Sequence, residues 1–137
     1  MNSLFKVKGI SEDAVHHLQA TCGVRSTYTF LAYAATPYGR RALAARTGFS
    51  ETSILRWAHQ TDLLRVRGVG EEYADLLEAA GVSTVSVLAQ HNAAQLHETL
   101  LHLNQRQARV NRVPARVQIE RWIRQAKNLP PSVVEEA

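Results

Sequence analysis

The sequence predicts an all-α protein made of two tandem repeats, and three observations support this fold class. Apolar residues recur at helical spacing along the chain, and no alternating run is long enough for a β-strand. Residues that start and stop helices bound each apolar segment. The chain also matches itself at an offset of about 60 residues, as repeat architectures do. We expect about eight to ten short helices, in two bundles that pack together.

The repeat is clearest at a glycine-containing tetrapeptide. Val7-Lys8-Gly9-Ile10 returns as Val66-Arg67-Gly68-Val69, and a tryptophan recurs near the end of each copy. The offset between matching residues drifts between 57 and 65, which small insertions explain. We therefore predict a first helical repeat over residues 1–65 and a second over residues 66–129.

In the first repeat, capping residues mark the helix ends. Ser11 is predicted to cap the first helix and Ser50 the last. A serine hydroxyl can accept a hydrogen bond from the free amides at the start of a helix. Between them a helix opens at Thr36-Pro37 and ends at Thr47-Gly48. The last helix of this repeat carries the apolar stripe Ile54, Trp57 and Ala58.

In the second repeat, the first helix ends at Gly81 and the next begins near Ser83 or Thr84. Asn92, with Gln95 three residues later, resembles a capping box that opens a third helix. The last helix is predicted to begin around Pro114. The apolar residues predicted to be buried by these helices are Tyr73, Leu76, Leu77, Ala80, Leu96, Leu100, Leu103, Ile119, Trp122, Ile123 and Ala126.

The last eight residues, PPSVVEEA at 130–137, are polar and begin with two prolines. This composition predicts a flexible tail that does not pack against the helices.

Composition and charge exclude several classes of protein. The chain has 137 residues, of which 16 are Lys or Arg and 12 are Asp or Glu, giving a formal net charge of +4. Cys22 is the single cysteine, so intramolecular disulfides and zinc sites with two thiolates are excluded. Neither a secretory signal nor a run long enough to span a membrane is present in the sequence. We expect a cytoplasmic protein without a membrane partner.

A candidate functional motif lies at the start of the second repeat. A predicted helix runs into Gly68-Val69-Gly70 and another helix follows at once, with Ala74 small enough for close helix approach. This is the helix-hairpin-helix pattern. Glycines allow a tight turn with open N–H groups, and the helix start adds free donors and a positive dipole end. Together with Arg67, these amides form a candidate phosphate-binding site.

The basic residues of the second repeat form a second candidate site. Residues 100–129 contain seven basic side chains and one acidic side chain. Such an excess fits a patch that follows a nucleic-acid backbone. The residues assigned to this patch are Arg106, Arg109, Arg112 and Arg116. The alternative is a solvated ladder of ion pairs, since Arg116, Glu120 and Arg124 follow one another at helical spacing.

Acidic residues after both turns argue against phosphate binding. Glu71 and Glu72 follow the second turn, while Glu12 and Asp13 follow the first. Carboxylates in a first helical turn satisfy the dipole that a phosphate would use, and they repel the phosphate. In the first repeat Ser11 also replaces the second glycine, so we expect that turn to be structural.

The sequence contains no pattern typical of catalysis or metal binding. The six histidines do not form a ligand set with a neighbouring Cys or Asp. Cys22 has no recognisable catalytic partners, and no paired carboxylates or Walker-type loop are present. Trp57 and Trp122 lie on apolar stripes, which favours core packing over base stacking. We expect a non-enzymatic protein without a cofactor, a metal or a small-molecule substrate.

The chain resembles an uncharacterised bacterial family, domain of unknown function 4332, made of tandem helix-hairpin-helix repeats, and the motifs that carry the resemblance lie between Ile54 and Leu129. The resemblance covers nearly the whole chain and is most specific in GVGEEYADLLEAAGV and in the later RVP and WI segments. It implies a fold and no activity. More distantly, each copy is similar to SAM-like helical domains, which precede the ATPase core of recombinases and end the alpha subunit of RNA polymerase. Those domains include DNA binders and protein binders.

Two functions from different classes are therefore expected. The first is sequence-nonspecific binding of a nucleic-acid backbone, DNA in particular, by the turn amides and the arginines. The second is a protein–protein adaptor without nucleic-acid affinity, which explains the acidic residues after each turn. We favour the first function, because phosphate binding is the best-known use of the motif.

Overall fold

The computed structural model describes residues 3–135, and these form eight α-helices and one short 3₁₀ helix. Within this part of the chain, the sole β pairing is an isolated bridge between Ser3 and Ser26. The predicted all-α class and the predicted number of helices are therefore confirmed. No helix among the described residues is long and apolar enough to cross a membrane.

Four helices follow the 3₁₀ helix Leu4–Lys6 in the first part of the chain. They are α1 (Glu12–Cys22), α2 (Thr27–Ala34), α3 (Pro37–Thr47) and α4 (Glu51–Leu63). The second part contains α5 (Glu71–Ala79), α6 (Val85–Ala89), α7 (Ala93–Gln107) and α8 (Arg116–Asn128). By their contacts, these residues form two compact units.

The first unit contains the described residues up to Asp62 together with residues 132–135. In it α3 packs against α1 and α2, and the 3₁₀ helix packs against α1. The largest side chains that are fully buried in this unit are Leu4, Leu18, Phe30 and Ile54. Burial of each such side chain stabilises the fold by roughly 1.5–3 kcal/mol.

The second unit spans Leu63–Pro131. Here α8 packs against α6 and α7, and α5 packs against α7. The predicted stripe of α8 is buried: Ile119, Trp122, Ile123 and Ala126 all face the core. Leu96, Leu100 and Leu103 of α7 pack into the same cluster, as their spacing predicted.

The predicted helix ends agree with the structure because caps are local interactions. Ser11 Oγ accepts from Ala14 N at 3.1 Å, and Asn92 Oδ1 accepts from Gln95 N at 3.0 Å. Gly48 ends α3 with a φ of 82°. The start of α8 differs slightly, since the helix begins at Arg116, two residues after Pro114, with Ala115 as its N-cap. Such a shift is within the ordinary uncertainty of helix boundaries.

The structure differs from the sequence expectation at residues 132–135, which were expected not to pack. Val134 N donates to Ala35 O at 2.7 Å, and Arg40 Nη2 donates to Val134 O at the same distance. The polar composition that predicted an unpacked tail does not oppose this contact, because the segment is held through its main chain rather than by apolar side chains.

Candidate nucleic-acid interface

Two buried valines anchor the α4–α5 turn, residues 64–70. Val66 and Val69 are 1% and 5% exposed. Val66 N donates to Leu63 O at 3.1 Å, and Val69 N donates to Val66 O at 3.0 Å. The residues between and after them, Arg67, Gly68 and Gly70, are exposed. Val69 therefore anchors the turn, and its neighbours are the residues that a ligand can reach.

The two glycines of the turn differ in conformation. Gly68 has a φ of 96°, which L side chains rarely adopt, and a Cβ there would lie 3.0 Å from Trp122 Nε1. Gly70 has a φ of −89°, and a Cβ there would meet nothing within 4 Å. Gly68 is thus required by the backbone and by close approach to α8, whereas Gly70 leaves open space at the start of α5.

Gln125 on α8 is hydrogen-bonded to the main chain of the turn. Gln125 Oε1 accepts from Arg67 N at 2.9 Å, and Gln125 Nε2 donates to Arg67 O at 3.0 Å. The first unit has a similar contact, since Gly9 N donates to Gln60 Oε1 at 2.9 Å. Sequence reasoning missed both glutamines. The available signal was that Gln60 and Gln125 are separated by 65 residues, the same offset as the two tryptophans.

The starts of α1 and α5 differ in how their amides are satisfied. Ser11 caps α1 with its hydroxyl, whereas Gly70 at the N-cap of α5 has no side chain to accept a bond. The first amides of an α-helix have no partner inside the helix. The start of α5 therefore offers donors to an external acceptor, and the start of α1 has one fewer to offer.

Two exposed carboxylates lie on the first turn of α5. Glu71 and Glu72 are the first two residues of the helix, and both are exposed to solvent. Their charges stabilise the helix dipole and lower the electrostatic attraction of the site for a phosphate. Any anion at this turn must be held by enough nearby cations to offset them.

Two of the predicted arginines lie on a segment that packs beside α5. Tyr73 Oη, on the first turn of α5, donates to Arg112 O at 3.1 Å. Arg109 Nη1 donates to Asp75 Oδ2 at 3.0 Å in an ion pair, and the Asp75 side chain is 11% exposed. The structure thus brings Arg109 and Arg112 close to the start of α5, with Arg109 already neutralised by a carboxylate.

The other two predicted arginines are not brought to the turn by any contact within residues 3–135. Arg106 lies in the last turn of α7 and is exposed. Arg116, the first residue of α8, forms an ion pair with Glu120 at 3.3 Å. That pair is part of the ladder that the sequence offered as the alternative. Of the predicted patch, Arg106 and Arg112 therefore have guanidinium groups without an ion pair in the described structure.

The exposed side of α8 contributes cations that the predicted site left out. Arg121, Arg124 and Lys127 are exposed, and none has an ion-pair partner among the described residues. Arg121 lies one helical turn before Gln125, so both share the face of α8 that contacts the turn. The sequence signal for Arg121 was its place beside the buried Trp122, on the solvent side of a strongly amphipathic helix.

The His, Cys, Asp and Glu side chains of the described residues do not form a metal-binding group. Among them, no three His, Cys, Asp or Glu side chains are grouped so that they could hold a metal ion. Cys22 is a free thiol of intermediate exposure at the end of α1. The start of α5 has amide donors without a side-chain cap, and Arg67 lies exposed in the turn before it; such groups can donate hydrogen bonds to an anion.

Comparison with known protein families gives a match over most of the chain. The sequence model of a family described as Domain of unknown function (DUF4332) matches residues 8–129, which is most of the chain. This match confirms the resemblance that the motifs indicated. No curated protein and no solved structure gives a match.

Proposed function

The chain belongs to the family described as Domain of unknown function (DUF4332), and because that description assigns no activity, we propose the function from geometry. In this proposal the second unit binds the sugar–phosphate backbone of nucleic acid, without reading base sequence and without catalysis. The observation that carries the proposal is the exposed start of α5, which has no side-chain cap and follows directly on a turn that contains the exposed Arg67.

In this proposal the α4–α5 turn is a helix-hairpin-helix. Its support is a helix before the turn, a left-handed Gly68, two buried valines that anchor the loop, and a helix that begins directly after Gly70. The amides of Arg67 and Val69 are already bonded, so a phosphate oxygen accepts from the amides at the start of α5, where the positive end of the helix dipole adds to the attraction. The hairpin of the first unit is structural, because Ser11 already occupies an amide of α1.

Three exposed arginines complete the proposed site. Arg67 is exposed within the turn, Arg121 lies on the adjacent face of α8, and Arg112 lies on the segment bonded to Tyr73. A guanidinium can donate two parallel bonds to a phosphate, which a neutral side chain cannot do as strongly. Each of these three groups lacks an ion pair within the described structure. Arg109 and Arg116 contribute less, since Asp75 and Glu120 neutralise them.

The net charge of the second unit favours a polyanionic ligand. Residues 63–131 contain nine basic and six acidic side chains. Six acids therefore remain against nine bases.

Two of those acids, Glu71 and Glu72, lie on the first turn of α5, directly after the α4–α5 turn. Their position favours a second candidate function, a protein adaptor that presents the acidic first turn of α5 to a basic surface of a partner protein. The nucleic-acid candidate predicts binding that weakens as the salt concentration rises, whereas the adaptor candidate predicts no nucleic-acid binding.

The test is fluorescence anisotropy of labelled single-stranded and double-stranded oligonucleotides at several salt concentrations. Nucleic-acid binding predicts a plot of log affinity against log salt with a slope of about −3 to −5, since a handful of phosphates would be neutralised. We expect Arg67→Gln and Arg121→Gln each to weaken binding and to reduce the magnitude of that slope by about 1.

Arg116→Gln is the matched control, because it removes the same charge from an exposed arginine that is already paired with Glu120. It should change affinity less than either site variant. If neither oligonucleotide binds at the lowest salt, the nucleic-acid proposal is wrong and the adaptor proposal gains. Equal losses in all three variants would instead indicate a diffuse charge effect, without a site at the turn.

A further inference from the structure

Arg40 on α3 is a buried cation in the first unit, with 3% of its surface exposed. Within residues 3–135 its guanidinium donates to main-chain carbonyl oxygens alone. Nη1 reaches Ala34 O at 2.8 Å, and Nη2 reaches Val134 O at 2.7 Å and Glu135 O at 3.1 Å. Burial lowers the pKa of Arg40 below its ordinary value, and the carboxylates of Glu135 and Glu51 oppose this shift. A cation this buried is costly unless its donors are satisfied.

Residues 132–135, here called the strap, supply two of those three acceptors. The strap also donates a bond, from Val134 N to Ala35 O at 2.7 Å. Of its side chains, Ser132 and Val133 are partly buried, Val134 is 50% exposed and Glu135 is also exposed. The first unit therefore recognises the strap through its main chain, as a sheet edge recognises an added strand.

One side chain of the strap faces a complementary group. Glu135 Oε2 lies 3.5 Å from His59 Nε2, and the His59 side chain on α4 is 14% exposed. Nε2 of His59 is buried and has no hydrogen-bond partner in the described part of the chain. The Arg40 guanidinium, the carbonyl oxygen of Ala35 and the His59 ring therefore line the place where the strap lies, here called the groove.

We propose that this groove is a peptide-docking site and that its partner is the strap of a second copy of the chain. Every copy contains both the groove and the strap, and an exchanged strap remakes the same bonds that the structure shows within one chain. Exchange of an identical element is a route to association that needs no new interface. This proposal is independent of the one for the second unit.

The two prolines before the strap separate it from α8. Pro130 and Pro131 have no N–H groups and cannot extend α8, so the chain leaves Leu129 in an extended conformation. Within one chain the strap has the advantage of an effective concentration on the order of millimolar. Exchange between copies should therefore dominate when the intramolecular contact is disabled, or when the protein concentration approaches that value.

Two full-length variants disable the strap and the groove separately. Val134→Pro removes the N–H that donates to Ala35 and disables the strap, but leaves the groove intact. Arg40→Met removes the groove's donors and leaves the strap intact, and replacing a buried charge with an apolar chain of similar length is often tolerated. We expect each variant alone to be monomeric, and the two mixed at about 300 μM each to form a one-to-one dimer.

The control mixture combines Val134→Pro with the double variant Arg40→Met and Val134→Pro, which has neither a working groove nor a working strap. It should stay monomeric in sedimentation or light scattering. A dimer in this control mixture, or no dimer in the complementary mixture of folded proteins, would overturn the proposal. Circular dichroism of each variant shows whether it is folded.

A peptide measurement keeps the proposal testable if Arg40→Met does not fold. A labelled peptide of residues 130–137, blocked at both ends, should bind the Val134→Pro chain at least about tenfold more tightly than the unsubstituted chain, whose own strap competes. The same peptide carrying Val134→Pro should not bind. Equal binding to both chains, or no binding to Val134→Pro, contradicts the docking site. Peptide binding without a dimer in the complementary mixture contradicts the second copy as partner.

Discussion

Gly68 is constrained both by its backbone and by its neighbour. Its φ of 96° is unfavourable for an L side chain, and an added Cβ would lie 3.0 Å from Trp122 Nε1. The motif treats Gly68 and Gly70 alike, and only the structure separates their roles. Gly68 permits the close approach of the turn to α8, while Gly70 leaves the start of α5 without a side-chain cap.

Gly68→Ala should lower the free energy of unfolding by about 1–2 kcal/mol, because it forces a Cβ into a left-handed conformation and against an indole. Gly70→Ala is the matched control, with an ordinary φ and open space around its Cβ. Its cost should be about 0.5 kcal/mol, the effect of a poorer N-cap residue. Urea unfolding followed by tryptophan fluorescence measures both. Equal losses would contradict the distinction between the two glycines.

At the scale of single elements, α7 ends in a way that its sequence does not favour. Its C-cap is Ala108, with φ 48° and ψ 47°, the one non-glycine residue with positive φ among residues 3–135. Ala108 N donates to Asn104 O at 2.8 Å. The Asn104 side chain then bonds both the N–H and the carbonyl oxygen of Val110, each at 3.0 Å. The end of this helix is therefore imposed by the bonds that follow it.

Ala108→Gly should raise the free energy of unfolding by about 1 kcal/mol, because glycine adopts the left-handed region without the Cβ penalty. Ala108→Val should lower it, since a β-branched residue is least suited to that region. Thermal or urea unfolding of both variants tests the sign of each effect. A loss of stability in Ala108→Gly would show that the left-handed residue is not strained.

At the scale of the whole molecule, each unit has its own apolar core, and in the second unit α7 supplies much of it. Leu100 is fully buried and the next residue, Leu101, is 37% exposed. Successive residues of a helix point about 100° apart, so Leu100 lies on the core side of α7 and Leu101 lies nearer to its surface side. The hydrophobic pattern alone assigned Leu100 to the core.

Leu100→Ala should lower the free energy of unfolding by about 2–5 kcal/mol, through lost burial and a residual cavity. Leu101→Ala should cost less than about 1 kcal/mol, because most of the removed atoms are near solvent. Chemical denaturation of the two variants under one set of conditions gives the comparison. Similar losses would place Leu101 in the core and contradict the described packing.

The sequence predicted the helices well, because helix ends and helix faces depend on residues a few positions apart. Ser11 bonds an amide three residues away, and so does Asn92. The buried stripe of α8 follows from a period of 3.6 residues. The candidate turn was likewise found from Gly68-Val69-Gly70 and the residues around it.

The candidate site was predicted less completely, because its chemistry depends on distant partners. The sequence could count the arginines of residues 100–129 but could not pair them. Arg109 meets Asp75 across 34 residues, and Gln125 meets Arg67 across 58. The ion pair between Arg116 and Glu120 could be predicted from their spacing, because the two residues are one helical turn apart. The place of Arg121 beside Trp122 was a local signal, but it did not show that Arg121 shares a helix face with Gln125, which contacts the turn.

The sequence by itself therefore determined the all-α class, the helix boundaries, the buried stripes and the family. The tertiary structure alone decided which cations remain unpaired, which residues fix the turn, and where the strap binds. Arg40 shows the difference most clearly, since its bond to Val134 spans 94 residues of chain. Local propensities and caps act over one helical turn, whereas ion pairs and main-chain docking depend on how the helices pack.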